Sequence, residues 1–281
     1  MHRLATLALS AALCLQLGEA LLLAPPLGCR CVRCGAGAAD GDLSRRDLVR
    51  GASGVGLAYV WGKELGLALD WPGETFRALA KEVYAEAQAV PPARGSLRVL
   101  EVGSGKDLES VFGGRFRAGA HVTAVDVQRP DEETLTRAAE RAAEDGFTFN
   151  FQVGDATALS ALRDGEFDVA LCSLVLCSVP SAAAAVSEIH RVLRPGGRYG
   201  FIEHVKVLEE DGRPLLALAQ QVLDPVQQAA AHGCHLSRDS PATILDRFGG
   251  TPSVVRLQRM HNGDMWPISQ QAAGVVVKPA R

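Results

Sequence analysis

From Leu97 onward, short apolar runs alternate with amphipathic segments, a pattern typical of a mostly parallel sheet covered by helices on both faces. Five of the apolar runs have the length and composition of strands, and four of the intervening segments have helical periodicity. The predicted strands lie in "LRVLEV", "HVTAVDV", "FTFNFQV", "FDVALCSLVL" and "RYGFIEHV". The predicted helices lie around residues 108–112, 132–144, 159–162 and 182–193.

The chain after the fourth predicted helix shows how the sheet is completed. The "RPGG" sequence at 194–197 predicts the end of that helix, since proline cannot continue it and glycine supplies the positive φ of a turn. Beyond "EHV" the pattern is largely helical, and two apolar runs, "SVVRLQRMH" and "AAGVVVKP", close the chain. We therefore expect an α/β fold, a doubly wound Rossmann-like sheet of seven mostly parallel strands with an antiparallel terminal hairpin.

Residues 1–70 differ from the rest of the chain and have the layout of a targeting leader. Residues 1–24 combine a basic start, an apolar run and small residues, which is typical of a secretory signal peptide, and "SRRDLVR" resembles a twin-arginine export signal. We expect an organellar location, plastid or thylakoid, with a secretory or endoplasmic reticulum membrane as the alternative. Residues 51–69 can instead form a membrane-associated helix, because Lys63 and Glu64 interrupt the apolar stretch. The folded domain is expected over residues 71–281.

Charge and cysteine content restrict the classes of partner. The chain of 281 residues has a net charge of −3, and the excess of arginine over acid is confined to residues 1–50. No basic stripe indicates a nucleic-acid partner. Three of the seven cysteines, Cys172, Cys177 and Cys234, lie outside the leader, too few for a disulfide scaffold.

None of these cysteines predicts a metal site. In the leader, Cys29, Cys31 and Cys34 have a ligand-like spacing, but no second ligand pair follows them. We expect Cys172 and Cys177 to be small core residues. Near Cys234 in the sequence, only His232 and His235 would activate the thiol as a nucleophile.

The most informative stretch is "VLEVGSGKDLES", which ends the first predicted strand. Gly103 and Gly105 let a ligand approach the backbone at the carboxyl edge of the sheet. A dinucleotide fingerprint needs a third glycine where Leu108 stands, and Asp107 would repel a pyrophosphate. The loop therefore favours a nucleoside ligand that carries no phosphate, such as S-adenosylmethionine.

Two acids follow at the ends of the next two predicted strands. Asp126 is placed to accept hydrogen bonds from the ribose hydroxyls, and Asp155 to reach the adenine amino group. The alternative for Asp155 is a turn or capping residue. Together, the two acids at successive strand ends indicate a nucleoside site.

With these motifs in order, residues 97–205 resemble a class I S-adenosylmethionine-dependent methyltransferase. "EIHRVLRPGGRYGFIEHV" and the tail "QQVLDPVQQAAAHGCHLSRDS" are similar to one branch, the methyltransferase-like thiol S-methyltransferases, so the resemblance runs from 97 to 278. It implies S-adenosylmethionine as cofactor and a small, hydrophobic methyl acceptor, with a thiol favoured and peripheral membrane association as an option. The motifs imply cofactor-binding roles for Glu101, Gly103, Gly105, Asp126, Asp155 and Leu174.

Methyl transfer is an in-line displacement that depends on alignment and water exclusion, so a base matters only when the acceptor must lose a proton. A thiol needs a base less than an alcohol does. The candidate catalytic residues are Glu203 and His204 at the end of the fifth strand, and Asp224 and His235 in the tail. Each can instead be a structural polar group. We expect the acceptor pocket between the carboxyl edge of strands four and five and residues 215–235.

Two other functions fit the same pattern less well. A nicotinamide-dependent oxidoreductase shares the fold, and a non-catalytic membrane or lipid-surface protein would retain the fold after its pocket had decayed. Lys106 and Asp107 in the first loop, and Ala231 and His232 in "AHGCHL", depart from the branch's pattern. These changes leave the cofactor assignment in place, but the identity of the acceptor stays open.

Overall fold

The computed structural model describes residues 74–262 and 267–280. Within these residues seven strands form one sheet in the order β3-β2-β1-β4-β5-β7-β6. β1 to β5 pair in parallel, whereas β7 runs antiparallel to both β5 and β6. The α/β fold, the doubly wound parallel sheet and the antiparallel terminal hairpin are therefore confirmed. The strands are β1 (Arg98–Val102), β2 (His121–Asp126), β3 (Thr148–Val153), β4 (Phe167–Ser173), β5 (Leu193–His204), β6 (Val254–His261) and β7 (Gln270–Val277).

Six α-helices are described, together with short 3₁₀ turns at Glu209–Asp211 and Thr251–Ser253. No described helix is both long and apolar enough to cross a bilayer. The leader expected over residues 1–70, and the start of the domain near Trp71, lie outside the described residues. The helices are α1 (Glu74–Gln88), α2 (Glu109–Phe112), α3 (Glu132–Glu144), α4 (Ala182–Val192), α5 (Pro214–Ala230) and α6 (Ser240–Phe248).

The sheet separates two apolar layers because successive side chains of a strand point to opposite faces. On β1, Val99 contributes to one layer and Leu100 to the other. α1 and α3 cover the first layer, and α4 and α6 cover the second. Both faces of the central strands are thus buried, so the open carboxyl edge is where the sheet presents its loops to a ligand.

α1 was not predicted from the sequence, although its apolar face is regular. Phe76, Leu79, Val83 and Tyr84 are all buried and recur at helical spacing. The helix packs so closely on β5 that a Cβ on Gly200 would lie 2.9 Å from the Cβ of Ala87. α1 therefore belongs to the core of the domain.

One local prediction is wrong and another is confirmed in part. Residues 159–162 form a single turn instead of a helix, closed by the Leu162 N–H on the Leu159 carbonyl at 3.0 Å, and the Arg191 guanidinium on α4 donates to the carbonyls of both leucines. α4 ends at Val192, as "RPGG" predicts, but these four residues are part of β5 and do not form a separate turn before it, and the register against β4 shifts there. Gly196 has the expected positive φ of 72°. Arg194 explains the extension of the strand, since its guanidinium binds Asp168 on β4 at 2.6 Å.

Asp168 is 3% exposed and joins three parts of the fold. Its oxygens accept from the backbone N–H groups of Ala93 and Arg98 at 2.8 and 2.9 Å, and from the Nε of Arg194. Although burial opposes ionisation, these donors hold the pKa of the carboxyl below its ordinary value.

We expect Asp168→Asn to lower the free energy of unfolding by about 2–4 kcal/mol, because an amide NH2 would face these donors. Urea unfolding of the full chain measures this loss.

The loss of stability in Asp168→Asn should depend on pH. A carboxyl whose pKa is lowered by folding adds stability above its unfolded pKa, and this contribution disappears as the pH falls through the folded value. The difference between parent and Asp168→Asn should therefore be full at neutral pH and shrink in acid. Asp164→Asn is the matched control, because the Asp164 side chain is 81% exposed and its pair with Arg191 should contribute below about 1 kcal/mol. Equal losses for both variants would contradict the assignment.

Candidate functional site

The glycine loop after β1 has two left-handed glycines with different surroundings. Gly103 has a φ of 70°, and its N–H donates to the carbonyl of Val125 at 2.7 Å. A Cβ at this position would lie 2.1 Å from Cγ2 of Val175. Gly105 has a φ of 69°, but a Cβ there would meet no atom within 4 Å. The loop therefore passes tightly under the chain that follows β4 and opens toward solvent at Gly105.

Asp126, at the end of β2, holds this loop in place. Its Oδ2 accepts from the Gly105 N–H and its Oδ1 from the Gln128 N–H, each at 2.9 Å. A carboxylate oxygen has more than one lone pair, so both oxygens retain capacity for hydroxyl donors. Val127 follows Asp126 in the chain and is 66% exposed. This apolar side chain beside the acid was not among the predicted site residues. The edge thus offers a polar and an apolar group side by side.

Asp155, after β3, adopts the turn role considered as its alternative. Its Oδ1 accepts from the backbone N–H and the hydroxyl of Thr157, both at 2.8 Å. The residue is exposed at the same carboxyl edge as Asp126. Oδ1 of Asp155 therefore stabilises the turn and fixes the orientation of the side chain. The second oxygen, Oδ2, takes no part in these two contacts.

Glu101 is the expected cofactor residue whose surroundings differ most from the expectation. It is 3% exposed, and burial raises the pKa of its carboxyl. The Tyr84 hydroxyl donates to Oε1 at 2.9 Å and the Ser110 hydroxyl to Oε2 at 2.6 Å. Each oxygen of Glu101 thus accepts one hydrogen bond inside the protein, which ties the end of β1 to α1 and α2.

Residues 174–179, here called the β4 turn, form the opposite wall of the site. Leu174 has a φ of 57°, and its N–H donates to the carbonyl of Ile202 at 2.9 Å. The N–H groups of Val175 and Leu176 both donate to Oε1 of Glu203 at 3.0 Å. Burial raises the pKa of Glu203, and its Oε2 has no hydrogen-bond partner among the described residues. Glu203, one of the predicted catalytic residues, thus holds the backbone of the β4 turn in place.

The 231–238 segment, between α5 and α6, is bound to the β4 turn. The His235 N–H donates to the carbonyl of Cys177 at 2.9 Å, and the Arg238 guanidinium donates to the carbonyls of Leu176 and Val179. Asp224 accepts from the Leu236 N–H, and its Oδ2 lies 3.8 Å from Nδ1 of His235. The structure therefore brings together Asp224 and His235, the two tail residues predicted to be catalytic.

His204, the fourth predicted catalytic residue, has a cysteine as its partner. Its Nε2 lies 2.8 Å from Sγ of Cys234, and Cys177 lies in the same group. A hydrogen bond from the Cys177 thiol, followed by the contact with His204, lowers the pKa of Cys234 to about 4 despite its burial. The same hydrogen bond and burial raise the pKa of Cys177 well above its usual value.

This group corrects the expectations for two cysteines. Cys177 is buried as predicted, but it contacts polar groups and does not serve only as a small apolar core residue. The partner of Cys234 is His204, thirty positions earlier, and not His232 or His235. Adjacency of β4 and β5 would have placed Cys177 near His204, but nothing in the sequence positions Cys234.

Comparison with known proteins agrees with this geometry. Residues 100–201 match the family model described as "Methyltransferase domain". The chain is 30% identical over 199 residues to the human thiol S-methyltransferase TMT1B, covering 70% of this chain and 78% of that protein. It is 32% identical over 167 residues to human TMT1A, covering 59% and 66%. These relatives support neither the oxidoreductase nor the non-catalytic alternative.

Solved structures share the fold at low sequence identity. BH2331 from Bacillus halodurans aligns with a TM-score of 0.52 at 16% identity, covering 71% of this chain and 99% of that one. YcgJ from Bacillus subtilis aligns with a TM-score of 0.50 at 16% identity, covering 72% and 99%. Such similarity establishes the Rossmann-like architecture alone.

The two glycines of the loop provide a matched pair for a test. Gly103→Ala should lower the free energy of unfolding by about 2–5 kcal/mol, because left-handed strain and the contact with Val175 add. Gly105→Ala should lower the free energy of unfolding by the left-handed strain alone, about 1–2 kcal/mol. Chemical denaturation of both variants measures the difference. In the Gly103→Ala background, Val175→Ala should restore part of the loss, and no coupling between the two sites would contradict the packing described here.

Proposed function

The chain belongs to the class I S-adenosylmethionine-dependent methyltransferases, and we propose that it methylates the sulfur of a small hydrophobic thiol. The similarity to thiol S-methyltransferases over 199 residues carries the choice of acceptor. When bound, the cofactor supplies an electrophilic methyl group on a sulfonium ion. The residues of this chain hold the cofactor, align the acceptor and exclude water.

We assign the nucleoside of the cofactor to the edge formed by β1 and β2. Gly105 leaves space beside the backbone, and Asp126 retains acceptor capacity for the two ribose hydroxyls. The exposed side chain of Val127 offers an apolar surface for the adenine ring. Asp155 stands at the next strand end with one oxygen committed to its turn, which fits a contact with the adenine amino group.

We assign the acceptor to the space between the β4 turn and α5. The hydrogen bonds from His235 and Arg238 hold the 231–238 segment against this turn, which supports its role as a cover over the reacting groups. Asp224 and His235 are adjacent there and form a proton-accepting pair. Such a pair is sufficient for a thiol, which has a much lower pKa than an alcohol.

The cofactor assignment predicts a loss of affinity in Asp126→Ala. Removal of a charged acceptor for the ribose hydroxyls should weaken binding of S-adenosylmethionine by about 1.5–3 kcal/mol, or roughly 10- to 150-fold. Calorimetric titration of the full chain measures this, with S-adenosylhomocysteine as a second ligand and NAD as a non-ligand.

Asp145→Ala is the control for this titration, since Asp145 caps the far end of α3 and pairs with Arg141. The dissociation constant of Asp145→Ala for S-adenosylmethionine should equal that of the parent. An unchanged constant in Asp126→Ala would place the ribose elsewhere, and tighter binding of NAD than of S-adenosylmethionine would reject the nucleoside assignment.

The acceptor assignment predicts a ranking among matched compounds. With labelled cofactor near neutral pH, thiophenol should be methylated at least about tenfold faster than phenol or aniline. Far more of the thiol than of the phenol is ionised at that pH, and the neutral nitrogen of aniline is a weaker nucleophile than a thiolate. Octanethiol, octanol and octylamine repeat the comparison on an aliphatic body. Preferential methylation of the phenol or the amine would refute the thiol assignment while leaving the family unaffected.

A further inference from the structure

Three buried side chains from separate parts of the chain meet beside the β4 turn. Cys177, His204 and Cys234 are 2%, 0% and 6% exposed, respectively. One ligand atom from each lies within 4.8 Å of the other two, and the imidazole Nε2 is 2.8 Å from the sulfur of Cys234. Two sulfurs and an imidazole nitrogen thus face one another in an enclosed space.

The donor set and its dimensions suit zinc. Zinc binds sulfur at about 2.3 Å and nitrogen at about 2.0–2.1 Å, which separates neighbouring ligand atoms of a tetrahedral site by roughly 3.4–3.8 Å. All three atoms lie within 4.8 Å of one another, and the contact between His204 Nε2 and Cys234 Sγ, at 2.8 Å, must open by less than about 1 Å. Calcium and magnesium require oxygen ligands, so this set excludes them.

The backbone around these side chains is fixed by contacts that do not involve them. Glu203 binds the N–H groups at the start of the β4 turn, and Arg238 binds two of its carbonyls. The Cys177 carbonyl accepts from the His235 N–H, which holds the residue next to Cys234. The side-chain amide of Gln227 lies 3.5 Å from the sulfur of Cys234 and can donate to it, a contact of the kind that stabilises a coordinated thiolate. The ligands are therefore preorganised.

We propose that Cys177, His204 and Cys234 bind one zinc ion and leave its fourth position to a non-protein ligand. Binding releases to solvent the proton that Cys177 donates to Cys234, His204 ligates through Nε2 as the neutral ring with its proton on Nδ1, and the two thiolates balance the charge of the ion. This inference goes beyond the proposed function, because methyl transfer to a thiol does not require a metal. Three protein ligands with an open fourth position are the pattern of zinc sites that take a water molecule or a substrate atom.

The test uses the full chain, purified under reducing conditions without chelators. Elemental analysis should find about one zinc ion per chain, as expected for a three-ligand site. After removal of the metal, titration with Co²⁺ should produce thiolate-to-cobalt charge-transfer absorption. Cys234→Ser and His204→Ala should each abolish the stoichiometric zinc and the absorption band.

Two controls separate this site from the other cysteines. Replacement of Cys14, Cys29, Cys31 and Cys34 by serine should leave both readouts unchanged. Cys172→Ser should also leave them unchanged, because Cys172 is buried beside Glu203 and outside the cluster. Zinc that is lost with the four leader cysteines, and retained in Cys234→Ser and His204→Ala, would overturn the proposal.

A measurement on the parent alone avoids dependence on the folding of the variants. Zinc at about 100 times its dissociation constant should raise the melting temperature of the metal-free chain by roughly 5 °C or more, and magnesium should not. No zinc in the purified chain together with no such rise would overturn the proposal. Peptide mapping that found Cys177 and Cys234 joined in a disulfide in the reduced preparation would overturn it as well.

Discussion

The β4 turn is half-buried, with Leu176 and Cys177 fully buried, and its N–H groups need acceptors because an unpaired backbone donor in the interior is costly. Glu203 supplies such an acceptor from the neighbouring strand. With the turn fixed, Val175 lies over Gly103 so closely that only glycine fits beneath it. The same turn carries Cys177. One buried carboxylate therefore fixes both the chain that packs over the glycine loop and the turn that carries Cys177 of the cysteine–histidine cluster.

Burial gives the carboxyl edge its chemical character. Glu101 and Glu203 have raised pKa values because they are removed from water, whereas hydrogen bonds from Cys177 and His204 lower that of Cys234. Around Glu203 and Cys234, which are buried, electrostatic interactions are stronger than in water, a condition that favours a displacement at a sulfonium methyl group. The family and the cofactor are consistent with this edge, and in the proposed function the altered tail decides the acceptor.

The altered tail residues lie where the chain changes direction after α5. His232 and Gly233 have φ values of 51° and 77°, and the Gly233 N–H donates to the carbonyl of Gln228 at 3.0 Å. This reversal brings Cys234 and His235 onto the β4 turn. The departure from the branch's sequence pattern at Ala231 and His232 thus lies in the segment proposed to cover the acceptor, away from the glycine loop and Asp126.

The sequence alone determined the strands, the two glycines, Asp126 and Asp155, because periodicity and turn chemistry act over a few residues. The helix predicted over residues 159–162 is a single turn, because the spacing of two leucines suggests a helix but Arg191 on α4 takes up both of their carbonyls. Only the tertiary structure decided that Glu101 faces inward to Tyr84 and Ser110, and that Cys234 meets His204. Those contacts depend on which helices and loops cover each strand end, and local sequence does not encode contacts between such distant residues.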